Sequence, residues 1–335
     1  MEEAVLGIDI GGTKVAAGLV NAAGEILFKT RVPMHAAGSA ADAMECVHGA
    51  IRAVFDSGPK ADVTAIGVAS PGPLALPEGV VVESPNLPCW RNFPLGGEVR
   101  QAYGLPVVVE NDASAAGLAE ALWGAGAGYR NVFYATFGTG IGTALIFDRR
   151  IYRSRTRMAP EGGHMTIDMH APVNCGCGKH GCFEGLASGT AIARRARERV
   201  FVGGARRESA FDWGTDPGLV TAKTVTEAWR AGDPIATDIL RETADLTAIW
   251  LGNVIDMLEP DIVVVGGGLS GVVSEWLDYI WAQLPSMTII PRSQRTAVEV
   301  AKYGSDSGIA GAAAVCFAEL PSTDTRPVRI CKLSD

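Results

Sequence analysis

Val5-Leu6-Gly7-Ile8-Asp9-Ile10-Gly11-Gly12-Thr13-Lys14-Val15-Ala16-Ala17-Gly18-Leu19-Val20 decides the fold. An apolar run enters a pair of glycines, and a second apolar run leaves it. Asn21-Ala22-Ala23-Gly24-Glu25 then turns the chain into a third run, Ile26–Val32. Residues 4–32 therefore read as three consecutive antiparallel strands joined by hairpins. A dinucleotide fingerprint needs G-x-G-x-x-G followed by a helix, and a P-loop needs Gly-Lys-Ser/Thr. Neither pattern is present. Gly11 and Gly12 leave the hairpin without side chains, so backbone N–H groups can approach a phosphate. Thr13 adds a hydroxyl and Lys14 a positive charge, and Asp9 is placed to organise Mg²⁺ directly or through water. Taken alone, the loop is equally an ordinary Gly-Gly turn.

Working outward, the pattern predicts a helix at 39–57, a strand at 61–70, a helix at 95–103, a short strand at 105–110 and an Ala-rich helix at 113–124. The order is βββ-α-β-α-β-α. It then restarts: 131–137 is a strand, Gly138-Thr139-Gly140-Ile141-Gly142 a second glycine loop, and 143–148 and 150–154 two more strands. This reads as an internal duplication with 124–130 as its linker, and a nucleotide held by both loops. Beyond it come a helix at 187–200, an irregular insertion at 203–218, helices at 221–231 and 234–258, and a buried strand at 261–265. The loop Gly266-Gly267-Gly268 follows, suited to packing on an adenine or ribose. A further helix and strand lead to a closing helix near 305–320. The sequence thus predicts an α/β protein of two domains, 1–124 and 125–320, with a weakly ordered tail over 321–335.

Composition agrees. At about 150 residues per domain, 335 residues make two domains. A hydrophobic content of 47% supplies core, and a net charge of −8 argues against a nucleic-acid partner. The acidic start has no signal-peptide character, and no apolar run predicts a membrane span. Seven cysteines are too few and too uneven for a disulfide framework, and three of them, Cys175, Cys177 and Cys182, fall within eight residues. That spacing points to a metal held in a reducing, cytoplasmic setting. A closed tetrahedral zinc site needs a fourth ligand, and His164, His170 and His180 are near. Asp112 ends a buried strand, where ligands of α/β sheets gather. It reads either as a catalytic base or as the cap of the following helix.

These residues together resemble the repressor–open reading frame–kinase (ROK) family of the actin-like ATPase superfamily. The likeness is carried by DIGGTK (9–14), SPGPL (70–74), NLPCW (86–90), ENDASAA (110–116), FGTGIG (137–142), EGGHM (161–165) and CGCGKHGCFEGLASGTAI (175–192), and extends from Gly7 to about Ala318. The resemblance implies two actin-like (ribonuclease H-like) domains with a cleft, the closing helix returning to the N-terminal one, and a zinc loop over about 159–186. It implies ATP-dependent phosphorylation of a hexose, foremost glucose, or of an N-acetylhexosamine or fructose. It names Asp112 as general base, with Gly72, Asn86, Asn111, Glu161, His164 and Glu184 around the sugar. MgATP falls to Asp9, Gly11, Gly12, Thr13, Lys14, Gly138, Thr139, Gly140, Gly267 and Gly268. His164 becomes the fourth zinc ligand beside Cys175, Cys177 and Cys182, and the enzyme a homodimer or homotetramer. The family's repressors carry an N-terminal helix-turn-helix domain for which this sequence leaves no room, so a sugar sensor is the weaker reading. Three positions depart from the pattern: Ser114, where Asn is commoner; Thr143, where Gly is frequent; and Gly163, whose small size would widen the pocket at the sugar's 2-substituent.

Overall fold

The computed structural model describes residues 2–204, 209–289, 296–320 and 328–329. The opening runs form β1 (Glu2–Ile10), β2 (Lys14–Asn21) and β3 (Ile26–Pro33), antiparallel in sequence, with Ile10 opposite Val15 and Val15 opposite Val32. β1 and β2 are buried along most of their length, which explains their unbroken apolar character. β3 is half-exposed and alternating, as an edge strand should be.

The chain continues through α1 (Ala40–Ser57), β4 (Ala61–Ser70), β5 (Leu74–Ala75), β6 (Val80–Ser84), β7 (Leu87–Phe93), α2 (Leu95–Tyr103), β8 (Val107–Asn111) and α3 (Asp112–Trp123). β4 runs parallel to β1, and β8 parallel to β4. Ser39 starts α1 with a capping box to Asp42. β5, β6 and β7 form a separate three-stranded sheet that the Pro- and Gly-punctuated sequence did not predict. Then follow β9 (Asn131–Phe137), β10 (Ile141–Phe147), β11 (Arg150–Ile151), α4 (Phe183–Ala187), α5 (Gly189–Arg197), α6 (Ala222–Arg230), α7 (Pro234–Leu258), β12 (Ile262–Gly266), α8 (Ser270–Glu275), α9 (Leu277–Gln283), β13 (Ala297–Val300), α10 (Ser307–Glu319) and β14 (Val328–Arg329). The second large sheet has the order β11-β10-β9-β12-β13.

The helix predicted at 187–200 is broken. Ser188 ends α4 and caps α5 by accepting the Ala191 N–H, and a π-turn over Glu198–Val202 follows. The predicted insertion at 203–218 lies partly outside the described residues. Within it, Trp213 is buried in the core formed by Val220, Val225 and Ile235. Of the predicted tail, only β14 lies within the described residues, paired with Asp62 and Val63 of β4. Among the described residues no helix is long and apolar enough to cross a membrane.

The chain divides into two compact units, one of residues 1–134, 144–160 and 301–335, the other of residues 135–143 and 161–300. The boundary does not follow residue 124, and the predicted linker 124–130 lies inside the first unit. One reason is Glu120, fully buried on α3, whose carboxylate accepts the N–H groups of Ala125 at 2.9 Å and of Lys302 and Tyr303 at 3.0 Å. Three backbone donors compensate a charge that would otherwise be costly to bury.

The other reason is α10. It packs against α3, β1 and β4 through backbone on both sides. A Cβ on Gly7 would stand 2.2 Å from the Ile309 carbonyl oxygen, one on Gly67 1.8 Å from that of Ala312, and one on Gly311 2.5 Å from the Ala115 backbone. No side chain can yield there. Gly67→Ala should therefore destabilise the protein by about 1–3 kcal/mol or more, the cost of overpacking. Gly49, inside α1 with nothing within 4 Å of its Cβ position, is the control: Gly49→Ala should stabilise by about 0.5–1 kcal/mol. Thermal melting of the two variants beside the parent checks both directions.

Candidate functional site

In the first unit the predicted residues come together at the C-terminal ends of β1, β4 and β8. The Asp9–Lys14 hairpin closes through Gly11 N–H to the Lys14 carbonyl at 2.9 Å. A Cβ on Gly12 would lie 2.7 Å from the Asn86 carbonyl oxygen, so the loop and Asn86 touch only because Gly12 lacks one. Gly72 faces Asn111, whose Nδ2 is 3.9 Å from the Gly72 Cβ position.

The cap of α3 is Asn111, not Asp112. Asn111 Oδ1 accepts the N–H groups of Ala113 and Ser114 at 3.0 and 3.1 Å. That commits its carbonyl and leaves the Nδ2 amide to donate. Relieved of capping, Asp112 is the first helical residue and is open to water on one side. The protein crowded around its other sides raises its carboxyl above the usual range, although the Ala113 N–H and Asn111 pull the other way. Asp9 is pushed up to about 6, chiefly by burial and then by the charge of Asp112, with Lys14 and Arg31 opposing. A carboxyl whose proton affinity is raised by burial and by a neighbouring carboxylate marks a place where added positive charge is favoured.

The second unit gathers the other glycine loops. Gly138 N–H bonds the Gly140 carbonyl at 2.9 Å, and the Gly138 carbonyl accepts the Gly189 N–H at 2.8 Å. Thr190 Oγ1 donates to the Thr139 carbonyl at 2.8 Å. Gly267, at φ 85°, passes so near Phe137 that a Cβ would be 2.3 Å from its carbonyl oxygen, and Leu269 N–H bonds that same oxygen at 2.9 Å. Gly138 and Gly268 have open space where a Cβ would stand; their use is to leave backbone uncovered.

His164, Cys175, Cys177 and Cys182 place one donor atom each within 4.8 Å of one another. His170 and His180 are not in the group. Cys177 Sγ is 3.7 Å from Cys182 Sγ, and Cys175 Sγ is 3.5 Å from His164 Nδ1. Of the loop glycines, Gly178 and Gly181 adopt φ 87° and 66°, conformations that side chains resist; Gly176 does not. Glu184 leans on this cluster. Its Oε1 lies 3.8 Å from Cys175 Sγ and 3.9 Å from His164 Nδ1, while Oε2 accepts the Ile141 N–H at 2.8 Å. Gly140 permits that reach, since its Cβ would sit 2.5 Å from Oε2.

Glu161 is exposed just before the short 3₁₀ turn Gly162–His164. The expectation for Gly163 does not hold. Its missing side chain points at the Ile141 carbonyl oxygen, 2.1 Å from a Cβ, so this glycine serves close packing and opens no room for a substituent. Thr143 and Trp250 emerge as neighbours whose part the sequence reading missed. Thr143 Oγ1 accepts the Gly162 N–H, and Trp250 Nε1–H donates to the Gly162 carbonyl. Thr143 stood out in the sequence as a departure from the family pattern and as a polar residue in an apolar strand, without pointing to this contact; nothing in the sequence marked Trp250.

The ROK family model matches residues 5–319. The chain belongs to the ROK family. Among ROK relatives, a glucokinase of Streptomyces coelicolor is 35% identical over 311 residues, covering 92% of this chain and 96% of the relative. An N-acetylmannosamine kinase of Yersinia pseudotuberculosis is 30% identical over 310 residues, covering 92% and 96%. The crystal structure of a ROK family glucokinase from Streptomyces griseus in complex with glucose and AMPPNP superimposes with a TM-score of 0.78 at 34% identity, over 93% of this chain and 98% of that one.

The raised carboxyl at Asp112 has a thermodynamic consequence. A folded-state pKa above the unfolded one favours the folded protein while the group is protonated and costs stability once it ionises. Asp112→Asn removes that cost. At pH 7.5 the variant should melt at or above the parent temperature, and the difference should shrink as the pH falls and the parent carboxyl takes up its proton. Calorimetry from pH 7.5 downwards checks it; a variant that melts lower at pH 7.5 contradicts the assignment.

Proposed function

We propose that the chain is a glucokinase: an ATP-dependent sugar kinase that transfers the γ-phosphoryl group of ATP to the 6-hydroxyl of glucose. The observation that carries the reading is Asp112, a carboxylate freed from capping by Asn111, water-accessible, and of raised proton affinity. Such a group can take a hydroxyl proton at neutral pH. In the proposed step the sugar oxygen attacks the γ-phosphorus as its proton passes to Asp112. The new O–P bond forms while the bond to the β-phosphate oxygen breaks, and ADP leaves.

Asn111 donates to a sugar hydroxyl through Nδ2, and Gly72 and Asn86 give backbone-lined contact. Glu161 and Glu184 accept from sugar hydroxyls, as ionised carboxylates do well. Backbone N–H groups of Gly11, Gly12, Gly138, Thr139 and Gly140, with Thr13 and Lys14, bind the phosphates, and Gly267 and Gly268 lie under the nucleoside. The raised proton affinity of Asp9, from burial and the charge of Asp112, suits it to hold Mg²⁺, which would neutralise phosphate charge.

The donor set fits a structural zinc ion. Tetrahedral Cys₃His coordination, with Zn–S about 2.3 Å and Zn–N about 2.0–2.1 Å, has S–S edges of about 3.8 Å and S–N edges of about 3.5 Å. The sulfur–sulfur and sulfur–nitrogen separations of 3.7 and 3.5 Å agree. His164 would hold the ion through Nδ1 and keep Nε2 for the sugar, and a bound ion would fix the segment that carries Glu184 two residues after Cys182. We read the two units as actin-like domains, and the enzyme as a cytoplasmic homodimer or homotetramer. N-acetylmannosamine is the second acceptor to consider, on the strength of the 30% identical kinase. The packing of Gly163 supplies no extra room for an acetamido group and favours glucose.

Coupled ADP-release assays with glucose, mannose, fructose, N-acetylglucosamine and N-acetylmannosamine decide the acceptor. Turnover should be greatest with glucose, and Asp112→Asn should lose about 10²–10⁴-fold. Greater turnover with an acetylated sugar would move the substrate and keep the chemistry; none with any sugar would end the kinase reading. Metal analysis should find one zinc per chain, lost in Cys182→Ser.

A further inference from the structure

The peptide of Gly162 is gripped from both sides. Its N–H donates to Thr143 Oγ1 at 2.8 Å, and its carbonyl accepts from Trp250 Nε1–H at 2.9 Å. Thr143 is 3% exposed, Trp250 fully buried, and Gly162 buried. In such an interior a lost partner leaves a peptide group with no substitute from water. Gly162 has no freedom to slide either, since a Cβ there would meet Thr143 Oγ1 at 2.9 Å.

The gripped peptide begins the turn that ends at His164, and it directly follows Glu161. The His164 N–H closes the turn on the Glu161 carbonyl at 2.9 Å. Trp250 reaches further. Its ring stacks on Phe183 at 4.5 Å and 15°, and Phe183 stands between Cys182 and Glu184 in the chain. One residue of α7 therefore contacts both segments that carry the proposed sugar-binding carboxylates, Glu161 and Glu184. Thr143 of β10 holds the first of them from the other side.

We infer that Thr143 and Trp250 are positioning residues for sugar recognition, clamping the Gly162 peptide so that Glu161 and His164 are held ready before the sugar arrives. The inference rests on the proposed hexose-kinase reading. Preorganisation of this kind raises affinity for the sugar without touching the nucleotide or the reacting atoms.

Thr143→Val keeps the side-chain shape and removes the hydroxyl; Thr143→Ser restores it; Trp250→Phe keeps a ring beside Phe183 and removes the N–H. In the zinc-loaded full chain, Thr143→Val should raise KM for glucose about tenfold, the effect of one buried hydrogen bond. kcat and KM for MgATP should stay within about twofold, and Thr143→Ser should return KM for glucose to within about twofold of the parent. Amide exchange of the 161–165 segment, measured without substrate, should speed up about tenfold in Thr143→Val and not in Thr143→Ser, with β1–β3 unchanged. An unchanged KM for glucose, or an equal rise in KM for MgATP, overturns the inference. If Thr143→Val does not fold, Trp250→Phe reads the other bond by the same split in KM. If the parent phosphorylates no sugar, the function reading fails by itself; amide exchange then tests the clamp, and unchanged exchange at 161–165 overturns it.

Discussion

Helix α10 lies on bare backbone. Where Gly7 and Gly67 face it, the carbonyl groups of Ile309 and Ala312 occupy the space that a methyl group would need, and Gly311 makes the reciprocal approach to α3. Dispersion forces fall off steeply with distance, so this contact is either close everywhere or lost everywhere. Much of the candidate site follows from it. The N-terminal end of α10 brings Gly308 to Asp9, where a Cβ would be 2.2 Å from the carboxyl carbon. α3, pressed against the same helix, carries Asp112 at its first position. The environment that raises both carboxyls is thus built by packing between small residues some distance from any chemistry.

The two carboxyls illustrate how stability and function pull apart. The protein packed around Asp9 and Asp112 makes both poorer anions than free carboxylates, although Asp112 keeps one side open to water. Under the proposed function, the same surroundings favour proton uptake by Asp112 and cation binding by Asp9. Asn111 contributes by serving as the cap of α3, while Asp112, at the first helical position, accepts the Ala113 N–H through Oδ1 at 2.8 Å.

Much of this was legible in the sequence, for definite reasons. The strands of the opening meander are long, apolar and separated by the Gly11-Gly12 and Asn21–Glu25 turns, and their ends fell within a residue or two of expectation. Helices α1, α6 and α7 fell close to their predicted ranges, and Ser39, Thr221 and Asp233 cap their starts. The Cys–His cluster was legible because three thiols within eight residues have few uses other than binding a metal. What stayed hidden depends on tertiary contact. β5–β7 are short and interrupted by proline, so only pairing with one another makes them strands. The break at Ser188 answers to the approach of Gly189 to Gly138, and the purpose of Gly163 to the carbonyl of Ile141. Trp250 looked like one more apolar residue of a long helix, because a hydrogen bond to a peptide 88 positions away leaves no local trace.

Glu120 carries a consequence for the order of events during synthesis. Two of its three partners, Lys302 and Tyr303, lie 182 and 183 residues downstream, and the helix that completes the core of β1 and β4 lies beyond them. A chain emerging from the ribosome N-terminus first exposes its opening sheet, glycine-lined and lacking its covering helix, while the residues of the second unit are still being made. The second unit, continuous from residue 161 to 300, has nearly all its material at hand before the first can close. The half of the protein that is written first is therefore finished last. Throughout that interval an apolar sheet and an uncompensated carboxylate await the final turns of helix.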